Sequence, residues 1–167
     1  MFDEKLMLNA QKVISHCRQI GIRLVTAESC TGGLISAALT AVPGSSNVLD
    51  RAFVVYSNES KCQELAVPYH LLEQYGAVSK EVTIAMAEGA LARSYPHAQM
   101  CVAVSGIAGP EGSQDKPVGL VHFAVARNGK FPTLHECHEF GDIGRNEVRE
   151  CTVNTALSLL ISEATED

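Results

Sequence analysis

The sequence contains, at residues 22–33, the stretch Ile22-Arg23-Leu24-Val25-Thr26-Ala27-Glu28-Ser29-Cys30-Thr31-Gly32-Gly33. Its first half is a short apolar run with β-branched residues. Its second half is a small polar cluster that ends in two glycines, and a further apolar stretch follows. This succession is typical of a strand, a tight turn and a helix. We therefore expect a strand over 22–27 and a helix over 32–41.

The predicted turn is where an α/β protein would carry a nucleophile, because the free backbone N–H groups at a helix N-terminus attract an anion or a developing oxyanion. Ser29 is the candidate nucleophile. The backbone of Cys30, Thr31, Gly32 and Gly33 is the candidate oxyanion-stabilising group. Cys30 competes with Ser29, since a thiol at a helix N-terminus has a lowered pKa and is reactive. The alternative for Cys30 is a small buried side chain that packs the turn.

The composition is that of an ordinary globular protein. A chain of 167 residues, 46% hydrophobic and 19% charged, suits a single domain over residues 1–167. The net charge of −6 argues against a nucleic-acid partner. No apolar run reaches the roughly 18 residues of a membrane helix, and the N-terminus lacks the plan of a signal peptide. We expect a cytoplasmic protein whose six cysteines are free thiols.

Hydrophobic periodicity and turn signals predict the remaining elements. Helices are expected over 3–20, 58–66, 69–75, 80–94 and 145–162, with Asn58 as the cap of the second. Strands are expected over 53–56, 100–104, 118–127 and 131–140, and Asn128-Gly129 joins the last two as a hairpin. This order predicts a three-layer α/β/α sandwich on a mixed, partly parallel sheet with an antiparallel hairpin.

Lys61 is the candidate general base for Ser29, whose hydroxyl is a poor nucleophile until a base removes its proton. Lys61 follows the second predicted strand, in the first turn of the next helix, where the helix dipole and burial would both lower the pKa of its amine. A neutral Lys61 could deprotonate Ser29, as in serine–lysine dyads. The alternative is a solvated surface lysine. Tyr56, at the strand end, could relay a proton or orient Lys61, or could simply pack.

Two further segments carry candidate binding residues. The glycine-rich loop 105–112 matches neither GxGxxG nor GxxxxGK[ST], so it predicts no dinucleotide or Walker-type site. Its glycines would let the backbone approach a ligand closely, and the alternative is a plain long turn. Arg145 opens the last helix and suits a phosphate, with Arg149 one turn further on. Both arginines could instead form surface salt bridges, and we expect Asp115 and Lys116 to be solvated.

The segment His135-Glu136-Cys137-His138 contains three potential metal ligands. On a strand, His135 and Cys137 face one side and His138 faces the other. Three ligands could then converge only at a bulge, and the chain has no paired ligand spacing. We therefore expect no metal site.

Six motifs in register resemble the CinA C-terminal domain family, over nearly the whole chain from about residue 5 to 162. They are Ala27-Glu28-Ser29-Cys30-Thr31-Gly32-Gly33, Pro43-Gly44-Ser45-Ser46, Tyr56-Ser57-Asn58 with Lys61, Gly76-Ala77-Val78-Ser79, Ser105-Gly106-Ile107-Ala108-Gly109-Pro110 and Lys116-Pro117-Val118-Gly119-Leu120-Val121. Enzymes of this family are nicotinamide-nucleotide amidases. The resemblance implies hydrolysis of nicotinamide mononucleotide to nicotinate mononucleotide and ammonia, in pyridine-nucleotide salvage. Family members also occur fused behind a second domain, and this chain resembles the stand-alone form.

The resemblance also implies a serine–lysine mechanism that maps onto Ser29 and Lys61. Ser29 would attack the carboxamide carbon, Lys61 would take its proton, and backbone N–H groups would hold the oxyanion. Because such a pair supplies the nucleophile that a metal would otherwise generate, no metal or cofactor is expected. The candidate substrate-binding residues are Ser46, Ser105, Gly106, Gly109 and Arg145.

The sequence departs from the family pattern at two points. The glycine-rich motif often begins with threonine, and here Ser105 keeps the hydroxyl. The family commonly has Gly-Asp-Arg before the last helix, whereas here Ile143-Gly144 separates Asp142 from Arg145.

Two other functions remain open: a nucleotide-binding or regulatory module without turnover, and an amidase for another substrate, such as free nicotinamide or a pyrimidine ureide. The joint presence of Ser29, Tyr56 and Lys61 counts against a pure binder. A homodimer is the commonest oligomer and is expected here. The hairpin residues Val121, Phe123 and Val125, with the alanine-rich helix over 80–94, are its candidate interface.

Overall fold

The computed structural model describes residues 2–113 and 115–165. The helices are α1 (Glu4–Ile20), α2 (Leu34–Thr40), α3 (Asn58–Leu65), α4 (Tyr69–Tyr75), α5 (Lys80–Arg93) and α6 (Arg145–Thr165), with a short 3-10 helix at Ser45–Asn47. The strands are β1 (Leu24–Glu28), β2 (Leu49–Val54), β3 (Met100–Gly106), β4 (Leu120–Arg127) and β5 (Lys130–Glu139).

The five strands form one sheet in the order β2-β1-β3-β4-β5. β1 pairs in parallel with both β2 and β3, whereas β4 and β5 are antiparallel additions. The predicted mixed sheet with a hairpin at Asn128-Gly129 is therefore confirmed.

Helices cover both faces of the sheet and enclose two apolar cores. α1, α2 and α6 pack on one face, and α3, α4 and α5 on the other. The central strand β3 sends Met100, Val102 and Val104 into the first core and Cys101 and Ala103 into the second. A strand buried on both faces has to be a continuous apolar run, which is the pattern that the sequence shows at 100–104.

The predicted dimer interface on the hairpin is wrong. Val121, Phe123 and Val125 are at most 1% exposed and pack in the core beneath α1 and α6. Their alternation along β4 marks the strand face that packs in the first core, while Ala124 and Ala126 face the second.

The bounds of β2 differ from the prediction, because the strand runs over Leu49–Val54 and not 53–56. The first half of β2 contains the charged residues Asp50 and Arg51, which are tolerated because β2 is an edge strand of the sheet. Tyr56 therefore lies in the loop after β2. The cap of α3 is also Ser57 rather than Asn58, since the Ser57 hydroxyl accepts from the N–H of Ser60 at 3.1 Å.

Residues 29–33 form a turn rather than the start of a helix, and α2 begins only at Leu34. Gly32 and Gly33 both have a positive φ, 59° and 98°. That conformation is open to glycine at little cost and is incompatible with a right-handed helix, so the helix starts two residues later than predicted.

The topology brings three loops together at the edge of the sheet that is formed by the carboxyl ends of its parallel strands, because these ends point the same way. Glu28 pairs with Val54 on one side and with Val104 on the other. Ser29, Tyr56 and Ser105 thus follow or end neighbouring strands at this edge. Among the helices of the described residues, none is long and apolar enough to cross a membrane.

Candidate active site

A cavity of about 190 Å³ opens at this edge of the sheet. It is lined by Ser29, Cys30, Tyr56, Lys61, Ala77, Val78, Ser105, Gly106, Ala108 and Arg145. A larger cavity of about 500 Å³ lies between α5 and the β4–β5 hairpin, but its lining holds no serine, cysteine or histidine. The smaller cavity gathers most of the predicted site residues and is the candidate active site.

Ser29 and Lys61 meet at the floor of this cavity. Lys61 Nζ lies 3.0 Å from Ser29 Oγ, 2.9 Å from the carbonyl oxygen of Val55 and 3.1 Å from that of Tyr56. Lys61 has no exposed surface and Ser29 is 8% exposed. The alternative of a solvated surface lysine is therefore wrong.

Burial lowers the pKa of Lys61 from 10.5 to about 8, while the neighbouring Cys30 and Cys62 act in the opposite direction. About a tenth of the amines are then neutral at pH 7, roughly 300 times the fraction expected at the ordinary pKa. A neutral amine has two N–H donors and one lone pair. The two carbonyl oxygens can only accept, so they take the N–H groups, and the lone pair is left for the hydroxyl proton of Ser29.

Cys30 lines the cavity, but it is not an activated thiol. Burial raises its pKa to about 11 and outweighs the effects of its own backbone N–H, Arg149 and Lys61, which lower it. The prediction of a lowered pKa at Cys30 is wrong because the side chain is 6% exposed and the helix begins only at Leu34.

The N-terminus of α2 is occupied by a carboxylate of the protein itself. Glu28, which is fully buried, accepts from the N–H groups of Gly33 (3.1 Å), Ile35 (3.0 Å) and Ser36 (2.9 Å). The Thr31 hydroxyl donates to the same carboxylate at 2.7 Å. The prediction that the Gly33 N–H serves an oxyanion is therefore wrong.

Of the other predicted oxyanion donors, Gly32 is also engaged, since its N–H donates to the carbonyl oxygen of Ser29 at 3.1 Å. The N–H groups of Cys30 and Thr31 donate to no other residue within residues 2–113 and 115–165, although the N–H of Cys30 faces its own sulfur. These two groups, directly after Ser29, are the donors that the turn leaves available.

Arg149 holds the same turn from the other side. Its Nε donates to the Cys30 carbonyl oxygen at 3.2 Å, and its Nη2 donates to the Thr31 carbonyl oxygen at 3.1 Å. Neither this contact nor the capping by Glu28 was predicted. A glutamate at the end of an otherwise apolar strand was the signal that could have revealed the cap.

Arg145 and Tyr56 form the rim of the cavity. Arg145 donates to the Tyr56 hydroxyl at 3.1 Å and to the Gly109 carbonyl oxygen at 2.5 Å. Tyr56 is 63% exposed, and it contacts Lys61 through its backbone carbonyl and not through its phenol. The geometry therefore fits an orienting role for the Tyr56 backbone carbonyl. It does not support a proton relay, because the Tyr56 hydroxyl contacts Arg145 and not Lys61.

Ser105 and the loop before α5 form the opposite wall. The Ser105 hydroxyl donates to the Ala77 carbonyl oxygen at 2.7 Å. Lys116 donates to the carbonyl oxygens of Tyr75 and Val78, so the expectation that it is solvated is wrong. Gly106 lines the cavity, but its lack of a side chain is explained by β4, since a Cβ there would lie 2.6 Å from a Val121 methyl group.

Ser46 does not line this cavity. It is exposed, in the 3-10 helix before β2, at the amino end of the parallel strands and thus at the opposite edge of the sheet from Ser29. The single chain therefore does not bring Ser46 to the site, because the length of β2 separates them.

The histidines of β5 lie away from the cavity. His135 Nε2 lies 2.9 Å from His122 Nδ1, and Cys137 Sγ lies 3.8 Å from His122 Nε2. His138 packs against Phe123 and Glu136, which confirms that it faces the other side. In the described part of the chain, no group of three or more histidine, cysteine or acidic residues could hold a metal ion.

Comparison with known proteins identifies the family. Residues 7–164 match the CinA C-terminal domain, and the chain belongs to this family. It is 43% identical over 162 residues to the nicotinamide-nucleotide amidohydrolase PncC of Escherichia coli (strain K12), which covers 96% of this chain and 95% of that protein. The resemblance inferred from the six motifs is confirmed.

Longer relatives carry the same domain as a part. A putative competence-damage inducible protein of Caldicellulosiruptor saccharolyticus is 44% identical over 149 residues, which are 89% of this chain and 35% of the relative. The chain thus spans about a third of the length of such relatives.

Solved structures share the fold. The competence/damage inducible protein CihA from Agrobacterium tumefaciens superposes with a TM-score of 0.92 at 47% identity, covering 97% of both chains. The competence damage-inducible protein A from Klebsiella pneumoniae gives 0.89 at 34% identity, covering 95% of this chain and 96% of that one.

Proposed function

We propose that this chain, acting as a single domain, hydrolyses the carboxamide of nicotinamide mononucleotide to nicotinate mononucleotide and ammonia, with Ser29 as nucleophile and Lys61 as general base. The observation that carries the proposal is the buried 3.0 Å contact between Lys61 Nζ and Ser29 Oγ. The similarity to the Escherichia coli amidohydrolase over nearly the full chain supports the choice of substrate. Such a reaction would serve the salvage of pyridine nucleotides.

Acylation begins when Ser29 loses its hydroxyl proton. The lone pair of neutral Lys61 accepts it while Oγ attacks the carboxamide carbon. The carbonyl oxygen becomes an oxyanion, and the donors closest in sequence to Ser29 that bond to no other described residue are the N–H groups of Cys30 and Thr31. Losing one donor of this kind typically costs about 10²–10³ in rate.

The intermediate collapses when the C–N bond breaks. Lys61, now an ammonium, gives its proton to the leaving nitrogen, and ammonia departs from the tetrahedral intermediate, which leaves the acyl group as an ester on Ser29. A water molecule then attacks the ester carbon while Lys61 again takes a proton. That proton returns to Ser29 Oγ as nicotinate mononucleotide is released, so one water is consumed for each ammonia.

The cavity dimensions support a division of the substrate between floor and rim. A volume of about 190 Å³ is below the 300–1,000 Å³ of typical ligand pockets, so it suits the pyridine ring and its carboxamide rather than the whole nucleotide. Ser105 and Gly106 line the part that would hold the ring. The ribose and phosphate would lie at the rim, where Arg145 is exposed beside Tyr56 and is braced by Gly109.

The test is ammonia release from nicotinamide mononucleotide by the wild type and by Ser29→Ala, Lys61→Ala and Cys30→Ala. We expect turnover by the wild type and Cys30→Ala, and loss in the other two. Full activity in either Ser29→Ala or Lys61→Ala would remove the dyad. Free nicotinamide as a parallel substrate tests the alternative amidase, and tight nucleotide binding without product would favour the silent binding module.

A further inference from the structure

The turn at residues 29–33 is anchored on two opposite sides. Glu28 takes the Thr31 hydroxyl and the Gly33 N–H on one side, and the Arg149 guanidinium takes the carbonyl oxygens of Cys30 and Thr31 on the other. Between these anchors lie the N–H groups of Cys30 and Thr31, which donate to no other residue among the described residues.

We propose that Arg149 is a positioning residue for the oxyanion site, an inference that rests on the proposed function. In a trans peptide the N–H and C=O bonds point in opposite directions. When Arg149 draws the Cys30 carbonyl toward α6, the Thr31 N–H of the same peptide is turned away from α6. One guanidinium that bridges two successive carbonyls fixes this orientation in a way that a single ammonium cannot.

The charge of Arg149 acts in the same direction as its geometry. The hydrogen bond from the cation to the Cys30 carbonyl oxygen polarises the Cys30–Thr31 peptide and strengthens the Thr31 N–H as a donor. The guanidinium also lies close enough to the turn to lower the pKa of Cys30, although burial dominates there. Arg149 donates to the carbonyl oxygens of Cys30 and Thr31, whereas Lys61 contacts Ser29 and the carbonyl oxygens of Val55 and Tyr56, so these contacts have no residue in common.

The contact depends on the placement of α6. Arg149 lies one turn into this helix, and Val148 next to it is fully buried in the core shared with α1 and α2. The helix is therefore held by its own packing, and removing the half-buried Arg149 side chain should leave its position unchanged.

Steady-state kinetics on Arg149→Met and Arg149→Lys test the proposal, with Arg93→Met as the matched control. Arg93 is an exposed arginine whose guanidinium donates to the Gln63 carbonyl oxygen at 3.4 Å. We expect kcat to fall about 10- to 100-fold in Arg149→Met, with KM nearly unchanged. In Arg149→Lys we expect kcat to recover little of this loss. The midpoint of the pH profile should stay where the wild type has it. An unchanged kcat, a loss confined to KM, or a shifted midpoint would overturn the proposal.

A substrate-independent arm separates this proposal from the proposed function. A fluorophosphonate probe forms a P–O bond to Ser29 Oγ and releases fluoride, and Lys61 takes the hydroxyl proton. We expect labelling of the wild type, none of Ser29→Ala, and labelling of Arg149→Met that is about tenfold slower or more. If nicotinamide mononucleotide is not hydrolysed while labelling still depends on Arg149, the substrate is wrong and the role of Arg149 stands. Equal labelling rates in the wild type and Arg149→Met would overturn that role.

Discussion

The rate of hydrolysis should follow the neutral fraction of Lys61. With a pKa of about 8, only about 3% of the amines are neutral at pH 6.5, half at pH 8 and about 90% at pH 9. We therefore expect kcat/KM to rise about 30-fold from pH 6.5 to pH 9, about eightfold over the first pH unit, and to level off only above about pH 9. The rise has this sign because burial disfavours the ammonium, and the active form is the free amine.

The assay is the initial rate of ammonia release at low nicotinamide mononucleotide, since kcat/KM reports the free enzyme. Only rates above pH 6.5 are compared, because the phosphate monoester of the substrate itself titrates near pH 6 and would change the substrate's charge below that pH. Enzyme held at each pH and assayed at pH 8 controls for inactivation. A profile that is flat between pH 6.5 and 9, that falls with pH, or whose midpoint lies near 10.5 would refute the assignment of Lys61 as a base made neutral by burial.

Three further predictions concern stability and binding. Between pH 8 and 10.5, Lys61 is protonated in the unfolded state but largely neutral in the folded state, so the folded state gains stability as the pH rises. Urea unfolding of the wild type and of Lys61→Met measures this gain. The difference between their free energies of unfolding should shift in favour of the wild type by about 2 kcal/mol from pH 7.5 to 9.5. Arg145→Met should raise KM for the nucleotide roughly tenfold or more with kcat within about threefold, because it removes one charged contact at the rim; an unchanged KM would exclude a phosphate role. Glu28→Gln removes the buried carboxylate cap of α2 and should lower the free energy of unfolding by about 2–4 kcal/mol in the same urea assay, with a change below about 0.5 kcal/mol counting against the cap.

The elements that the sequence predicts well are those whose pattern is set locally. The β3 run at 100–104 is apolar throughout because both faces of the strand are buried, and Asn128-Gly129 forms the hairpin turn by its own conformational preference. The placement of Ser29 after β1 follows from the strand–turn–helix pattern in the same way.

The parts that the sequence could not give depend on contacts between distant segments. β2 is a strand because it pairs with β1, and its own residues Asp50 and Arg51 carry no strand signal. The pKa of Cys30 rises because other elements bury it. Arg149 reaches the turn from more than a hundred residues away, so only the packing of α6 reveals the contact.

The most direct test of the central claim is to trap the acyl-enzyme. Wild-type protein mixed with nicotinamide mononucleotide and quenched in acid within one turnover, then digested and analysed by mass spectrometry, should carry the nicotinate mononucleotide acyl group on Ser29. Lys61→Ala treated in the same way should carry none. An acyl group on Cys30 would contradict the account. So would product formation by Ser29→Ala at the rate of the wild type.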